Sequence, residues 1–215
     1  MINKENYLAL KEQLKKISTT LVAVSKLQSI EKIKALYVLG ERNFGENYVQ
    51  ELCTKQEELK EFGINWHFIG HLQSNKVKYI APFIYLIQSV DSLKLIKEIN
   101  KEAKKNNRTI NCLLQVYIAK EESKYGLDEN ELAEILDFKK QGNLENIEIK
   151  GLMGMASFSD DLKIVEQEFK YLKLIINQFP EFEILSMGMS GDFELAISCG
   201  SNMVRIGSSI FGARK

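Results

Sequence analysis

Short apolar runs alternate with helical patterns along the whole chain, and this alternation constrains the fold more than any other feature of the sequence. In the first helical pattern, over roughly residues 4–17, apolar residues recur at steps of three and four. The run Leu21-Val22-Ala23-Val24 follows, continuous and rich in β-branched residues, as in a strand buried on both faces of a parallel sheet. Repetition of this unit predicts an α/β protein with right-handed crossovers.

The same criteria predict eight strands, each followed by a helix or a short helical turn. The predicted strands are Leu21–Val24, Asn43–Asn47, Trp66–Gly70, Ile84–Val90, Cys112–Ile118, Ile147–Met155, Glu183–Met187 and Met203–Ile206. Ser29 and Asp91 are candidate N-caps of the helices after strands one and four.

Eight such units that close on themselves form a single-domain (β/α)8 TIM barrel over residues 1–215, with an extra N-terminal helix. An open doubly wound sheet is the alternative. It is weakened because neither a G-x-G-x-x-G fingerprint nor a P-loop follows an early strand.

Composition excludes several classes of function. Lys+Arg and Asp+Glu are 29 each, so no net positive field attracts nucleic acid or anionic lipid. The polar N-terminal sequence lacks a signal-peptide core, and no apolar run approaches the roughly 18 residues of a membrane span. Cys53, Cys112 and Cys199 are far apart and form no CxxC pair, which is typical of buried thiols in a reducing compartment. We therefore expect a cytoplasmic protein.

The chemistry of such barrels lies at the C-terminal ends of the strands. Strand one is followed there by Ser25-Lys26. An amine at the barrel mouth is partly desolvated, which favours the neutral form that attacks an aldehyde. On this evidence alone the stronger interpretation is the simpler one, a rim lysine whose amine reaches solvent.

The segments after strands seven and eight combine glycines with hydroxyl donors, at the position where these barrels commonly hold phosphate. They are Ser186-Met187-Gly188-Met189-Ser190-Gly191 and Arg205-Ile206-Gly207-Ser208-Ser209. Ser190 also precedes a predicted short helix whose N-terminus would favour an anion. The alternative is ordinary turn chemistry, because Gly and Ser are common in loops.

Other polar residues near the strand ends allow two interpretations each. Arg205 lies inside an apolar strand and must find a partner, either a bound ligand or a structural salt bridge. Asn47 could orient a ligand or cap the following helix. His67 and His71 lie on a strand and its loop with no further ligand to complete a set, so we expect structural roles and no metal site.

Taken in order, several segments closely resemble the YggS/PROSC family of pyridoxal phosphate homeostasis proteins. The segments are Ala23-Val24-Ser25-Lys26, Phe44-Gly45-Glu46-Asn47-Tyr48, His67-Phe68-Ile69-Gly70, Leu72-Gln73-Ser74-Asn75-Lys76, Ser186-Met187-Gly188-Met189-Ser190 and Val204-Arg205-Ile206-Gly207-Ser208-Ser209-Ile210-Phe211-Gly212. The resemblance implies a barrel of the alanine-racemase N-terminal-domain type that stands alone.

The resemblance also implies roles for individual residues. Pyridoxal 5′-phosphate (PLP) would form a Schiff base with Lys26, its phosphate would lie on Ser190 and Gly207-Ser208-Ser209, and its pyridine nitrogen would lie near Arg205. Asn47 would line the pocket beside Lys26.

Two segments depart from the family pattern. Tyr117 stands where the family has Asn at the end of strand five, and Gly154-Met155-Ala156-Ser157 varies a segment that is often rich in proline. We expect neither change to touch the residues assigned to the cofactor.

The resemblance implies a carrier of PLP without committed catalysis, and a PLP-dependent amino-acid racemase with weak activity is the alternative. Racemases of this fold take their second base from a separate C-terminal domain of a partner chain. Here the chain stops at Lys215, just beyond strand eight, so we expect that domain to be absent and the protein to be a monomer. Tyr117 or Tyr125 could act as a second base. Apo PLP-dependent enzymes are candidate recipients of the cofactor. Lys124 could accept the aldehyde transiently during its release, but the stronger interpretation is a solvated loop lysine.

Overall fold

A closed barrel of eight parallel strands forms the centre of the protein in a computed structural model that describes residues 2–119 and 125–212. The strands are β1 (Thr20–Val24), β2 (Asn43–Glu46), β3 (Asn65–Phe68), β4 (Leu86–Val90), β5 (Ile110–Gln115), β6 (Ile147–Met153), β7 (Ile184–Ser186) and β8 (Met203–Ile206). Each strand pairs with its neighbours in chain order, and β8 pairs with β1 to close the sheet. The predicted (β/α)8 barrel is confirmed.

Helices cover the outside of the barrel. They are α1 (Lys4–Lys16), α2 (Ile30–Val38), α3 (Val49–Glu58), α4 (Val77–Ile80), α5 (Leu93–Lys105), α6 (Glu129–Lys140), α7 (Leu162–Ile176), α8 (Phe193–Ser198) and α9 (Ser208–Phe211), with a 3₁₀ turn at Ser74–Lys76. The predicted extra N-terminal helix is α1. None of the described helices combines the length and apolar character needed to cross a bilayer.

Several predicted boundaries were wrong. The N-cap of α5 is Ser92, whose hydroxyl accepts from the amide of Leu95, and not the predicted Asp91. The strand predicted at Cys112–Ile118 begins two residues earlier and ends at Gln115, where the chain turns away to form an isolated bridge between Val116 and Leu127. Similarly, β6 ends at Met153 instead of Met155. Apolar residues continue past these strand ends because the barrel rim is also buried, so hydrophobicity alone does not mark where pairing stops.

Alternating residues of the strands face either the helices or the barrel interior. Leu21 and Ala23 of β1 belong to the large core cluster between the sheet and the helices. Val22 instead joins a smaller cluster of interior side chains from five strands: Val22, Leu86, Leu113, Met153 and Met203. This cluster fills part of the barrel interior, as expected of a packed barrel without a pore.

The barrel interior also contains polar side chains. His67, Gln88, Ser186 and Arg205 are all buried and hydrogen-bonded to one another. The imidazole of His67 is enclosed by protein, and desolvation lowers its pKa to about 3. His67 is therefore neutral throughout the physiological range, in agreement with the structural role predicted for it.

The buried imidazole of His67 predicts a loss of stability in mild acid. Its pKa falls from about 6.5 in the unfolded chain to about 3 in the folded protein, so below pH 6.5 the unfolded chain binds a proton that the native state excludes. The free energy of unfolding should fall by about 2 kcal/mol between pH 7.5 and pH 5 through this group alone. Urea unfolding at both pH values should show that much less pH dependence in His67→Gln, and equal pH dependence in the two proteins would contradict the account.

Candidate functional site

The residues predicted to form the site follow four neighbouring strands of the closed barrel. Ser190 follows β7, Arg205 lies in β8, Gly207, Ser208 and Ser209 follow β8, Lys26 follows β1, and Asn47 follows β2. The pairing of β8 with β1 aligns Ala23 with Ile206 and so joins the two ends of the chain. All seven residues therefore lie along one arc of the C-terminal rim, in the order β7, β8, β1, β2.

The loops after β7 and β8 are tied to each other. The backbone amide of Gly207 donates to the hydroxyl of Ser190 across 3.3 Å. Ser208 and Ser209, predicted as a loop, instead open helix α9, so their backbone N–H groups have no intrahelical acceptor. Hydroxyls that are exposed or half-buried, together with first-turn amides, are donors of the kind that suits a phosphate group.

Gly188 shapes the first of these loops. Its φ of +97° lies in the region that favours glycine, and a Cβ there would lie 2.6 Å from the Cβ of Ala196. The chain can therefore bend tightly against α8 before it reaches Ser190. This requirement explains one glycine of the motif without any reference to a ligand.

Helix α1 supports the second loop. The backbone amide of Asn3 donates to the carbonyl of Ile210, and the side-chain amide of Asn6 donates to the carbonyl of Ser209. Helix α9 is thus anchored by the N-terminal segment of the chain. The extra helix has a direct role in fixing one wall of the site.

Lys26 occupies a turn rather than the end of the strand itself. Strand β1 ends at Val24, and Lys26 is half-buried two residues later. Leu27 follows with a φ of +60°, an uncommon conformation for a side chain of that size. Because this backbone conformation is unfavourable for leucine, contacts from outside the turn must stabilise it.

A second lysine provides that support, and sequence reasoning missed it. Lys55 of α3 is buried, and its ammonium donates to the carbonyl of Ser25 and to the carboxylates of Glu46 and Glu51, each over 2.7 Å. These three bonds use all its N–H donors, so Lys55 is held as a structural cation. A lysine on the buried stripe of α3, three residues after Leu52, was the signal available in the sequence.

The acids bonded to Lys55 also contact the backbone and side chains that flank Lys26. Glu51 accepts from the amide of Leu27 over 2.6 Å, and Glu46 accepts from the hydroxyl of Ser25 over 2.6 Å. Burial raises the pKa of Glu46, while the ammonium of Lys55 opposes that shift. Both neighbours of Lys26 are therefore clamped. We call Glu46, Glu51 and Lys55 the turn clamp.

Asn47 has hydrogen-bonding capacity that the described residues leave unused. Its Oδ1 is buried and has no partner within the part of the chain that the structure describes. Gly70 packs directly on its backbone, since a Cβ on Gly70 would lie 2.7 Å from the Cα of Asn47. A half-buried side-chain amide at a strand end, with a buried oxygen that no described residue pairs, is suited to orient a ligand.

Arg205 is buried in β8 and bonded to neutral groups. It donates to the hydroxyl of Ser186 over 2.6 Å and to the carbonyl of Gly154 over 3.0 Å. Burial lowers its pKa to about 10, with the charge of Asp192 acting in the opposite direction, so it remains a cation near neutral pH. The expectation that the Gly154 segment does not touch the site residues was wrong, although the contact is made by a backbone carbonyl.

The opposite rim carries the remaining predicted residues. Tyr117 lies beyond the end of β5 and is half-buried, with its backbone amide bonded to the carbonyl of Leu127. Tyr125 stacks on His71 with ring centroids 4.3 Å apart, and His71 bonds Asp91 over 3.0 Å. Lys124 lies outside the described residues. In the closed barrel β5, which precedes both tyrosines, is four strands away from β1, which precedes Lys26.

Comparisons with known proteins agree with this architecture. The family model described as "Alanine racemase, N-terminal domain" matches residues 3–215. The pyridoxal phosphate homeostasis protein of Helicobacter pylori (strain ATCC 700392 / 26695) is 43% identical over 192 residues, which cover 89% of this chain and 86% of that protein. That of Haemophilus influenzae is 37% identical over 100% of this chain and 93% of its own length.

Solved structures give the same result. PipY of Synechococcus elongatus PCC7942, solved with PLP bound, is 33% identical with a TM-score of 0.87, covering 97% of this chain and 99% of its own. Alanine racemase from Bartonella henselae has a TM-score of 0.74 at 22% identity. It covers 94% of this chain but only 58% of the racemase, and at that identity it shows the fold alone.

Fold and family model together define a barrel protein of the alanine-racemase N-terminal-domain type. Within that class, the identity and coverage of the relatives show that the chain belongs to the family of pyridoxal phosphate homeostasis proteins.

The turn clamp predicts a large effect of a substitution outside the site. Lys55→Met leaves the buried carboxylate of Glu46 without its cation, which should lower the free energy of unfolding by about 3–5 kcal/mol. The double variant Lys55→Met/Glu46→Gln should recover a substantial part of that loss, because it removes the uncompensated charge. Lys60→Met, which breaks an exposed ion pair with Glu57, is the control and should change stability little. Urea unfolding measures all three, and a mild effect of Lys55→Met would contradict the clamp.

Proposed function

We propose that this protein holds PLP as a Schiff base on Lys26 and serves PLP homeostasis as a carrier. The observation that carries the proposal is the arrangement on the arc from β7 to β2: a lysine on a clamped turn, a pair of linked Gly/Ser loops, and a buried guanidinium. PLP supplies the aldehyde that condenses with an amine, and Lys26 supplies the amine. The protein's membership of the family of pyridoxal phosphate homeostasis proteins and its similarity to PLP-bound PipY support the same proposal.

The donor set of the site fits each part of PLP. Ser190, Gly207, Ser208 and Ser209 offer hydroxyl and first-turn amide donors for the phosphate. Arg205 has two of its five donors engaged by Ser186 and Gly154, and the guanidinium would lie near the pyridine nitrogen. Asn47 would use its unpaired amide oxygen beside Lys26.

The environment supports Lys26, and not Lys55, as the reactive amine. A Schiff base requires a neutral amine with a free electron pair. All three N–H donors of Lys55 are committed to one carbonyl and two carboxylates, and that ammonium is nearly inaccessible. Lys26 is only half-buried and lies on the rim. The clamp thus separates a structural lysine from a reactive one.

The same geometry supports a carrier rather than a committed catalyst. PLP enzymes commonly use a protonated pyridine nitrogen as an electron sink, and a guanidinium at that nitrogen disfavours the proton. Racemisation also needs a base on each face of the substrate, and the phenol candidates for a second base, Tyr117 and Tyr125, follow β5 and not a strand that adjoins β1. Loaded protein would deliver PLP to apo PLP-dependent enzymes.

Attachment at Lys26 can be tested by trapping. Protein incubated with PLP and reduced with borohydride should gain one PLP mass on the peptide that contains Lys26, because reduction makes the Schiff base permanent. Lys26→Ala should lose this adduct, while Lys34→Ala, which removes an exposed lysine of α2, should keep it. An adduct of equal yield in Lys26→Ala would overturn the assignment.

The carrier function predicts cofactor transfer without turnover. Loaded protein mixed with an apo PLP-dependent enzyme should restore that enzyme's activity, and free PLP at the same concentration is the control for transfer through solution. Incubation with L-alanine and other amino acids, followed by chiral chromatography, should show no racemisation at ordinary enzymatic rates. Turnover of about 1 per second or faster would contradict the carrier function.

A further inference from the structure

A continuous hydrogen-bond chain runs through the polar interior of the barrel from Arg205 toward the opposite end. Arg205 contacts Ser186 over 2.6 Å, and Ser186 contacts Gln88 over 2.7 Å. Gln88 then contacts Nδ1 of His67 over 3.0 Å, and Nε2 of His67 contacts Oδ1 of Asn43 over 3.3 Å. The hydrogen-bond chain therefore crosses the barrel interior from β8 through β7, β4 and β3 to β2.

The donors and acceptors of this hydrogen-bond chain run in one direction, starting from Arg205. A guanidinium can only donate, so the hydroxyl oxygen of Ser186 accepts and its single proton is directed to the carbonyl oxygen of Gln88. The other end of that amide is then the NH₂ group. Its two hydrogens go to Nδ1 of His67 and to the sulfur of Met203.

The hydrogen bonds of His67 determine which of its ring nitrogens carries the proton. Nδ1 accepts from Gln88 and therefore carries no proton, so the proton is on Nε2 and faces Oδ1 of Asn43. The same oxygen also accepts from the side-chain amide of Asn65 over 3.1 Å. The depressed pKa of His67 agrees with a ring that accepts on one side and donates on the other.

With Arg205 in place, this one-way pattern gives each side chain between Arg205 and Asn43 both a donor and an acceptor role. Each group polarises the next, and no hydroxyl or amide can rotate without leaving a buried atom unpaired. Ser186 is thereby fixed as an acceptor for Arg205. Without Gln88, the hydroxyl proton of Ser186 would be free to rotate and the acceptor would be less well oriented.

The end of the hydrogen-bond chain farthest from Arg205 reaches a cavity of about 420 Å³ at the N-terminal end of the barrel. Asn43 and His67 form part of the wall of this cavity. The chain thus spans most of the barrel interior. Nothing in the seven residues assigned to the site requires polar side chains so far below the rim. Apolar residues would fill this volume at lower cost if packing were the sole requirement.

We propose that Gln88 and His67 are positioning residues that hold Arg205 in the orientation that meets the pyridine nitrogen of PLP. This inference rests on the proposed function, since it assigns Arg205 to the cofactor ring. Neither residue touches the predicted site itself. Their effect on PLP is transmitted through Ser186.

The first experiment examines the apo protein and needs no cofactor. Long-range ¹H–¹⁵N NMR should show His67 as the neutral Nε2–H tautomer near pH 7, and Arg205 should give a sharp side-chain Nε–H signal. In Gln88→Leu the Arg205 signal should shift or broaden. An Nδ1–H tautomer in the wild-type protein, or an unchanged Arg205 signal in Gln88→Leu, would overturn the proposal.

The second experiment measures the effect on PLP. Gln88→Leu should weaken PLP binding roughly fivefold, which corresponds to the net contribution of about one hydrogen bond. It should also change the absorption spectrum of bound PLP, because Arg205 is less well oriented. His67→Phe should act in the same direction, and His67→Gln should be close to wild type because it keeps one acceptor and one donor.

Ser89→Ala is the matched control for this series. Ser89 is the next residue in β4 and equally buried, but its hydroxyl has no partner among the described residues and lies off the chain. It should leave PLP affinity unchanged. Equal PLP affinity in Gln88→Leu and Ser89→Ala would refute the positioning role. Failure of the wild-type protein to bind PLP would instead refute the proposed function, and the hydrogen-bond chain would then be tested by the NMR experiment alone.

Discussion

Closure of the sheet between β1 and β8 is the constraint on which the rest of the structure depends. It aligns Ala23 with Ile206 and so brings the turn of Lys26 beside the Gly/Ser loop near the end of the chain. No local interaction could join segments about 180 residues apart, and an open sheet would leave them on opposite edges. In the barrel, the strand order β7, β8, β1, β2 places every residue assigned to the cofactor on one continuous arc.

Two buried polar networks support this arc from different sides. The turn clamp fixes the backbone around Lys26 through one buried ammonium and two carboxylates. The chain behind Arg205 fixes a guanidinium through neutral groups only. The two networks differ in charge: Lys55 is paired with two carboxylates, whereas the partners of Arg205 are a hydroxyl and a backbone carbonyl. Burial of such groups is costly, and an apolar interior would be simpler if stability were the only requirement.

The sequence predicted the barrel well because the alternation of strand and helix is repeated eight times along the chain. The positions of Lys26, Asn47 and Ser190 followed from one rule about strand ends together with the family resemblance. Strand limits at Gln115 and Met153 were missed because the rim is as apolar as the strands. The clamp and the interior chain were missed for another reason: Lys55, Gln88 and His67 acquire their partners only when distant strands pair, and no local pattern encodes those contacts.

The central claim is that Lys26, on its clamped turn, is the covalent anchor of PLP, with the linked loops after β7 and β8 as the phosphate site. A crystal structure of the protein grown with PLP tests it most directly. The account predicts continuous density from the Lys26 amine to the cofactor, phosphate oxygens within hydrogen-bond distance of Ser190, Ser208 or Ser209, and Arg205 facing the ring nitrogen. Density joined to a different lysine, or a phosphate bound away from these loops, would contradict it.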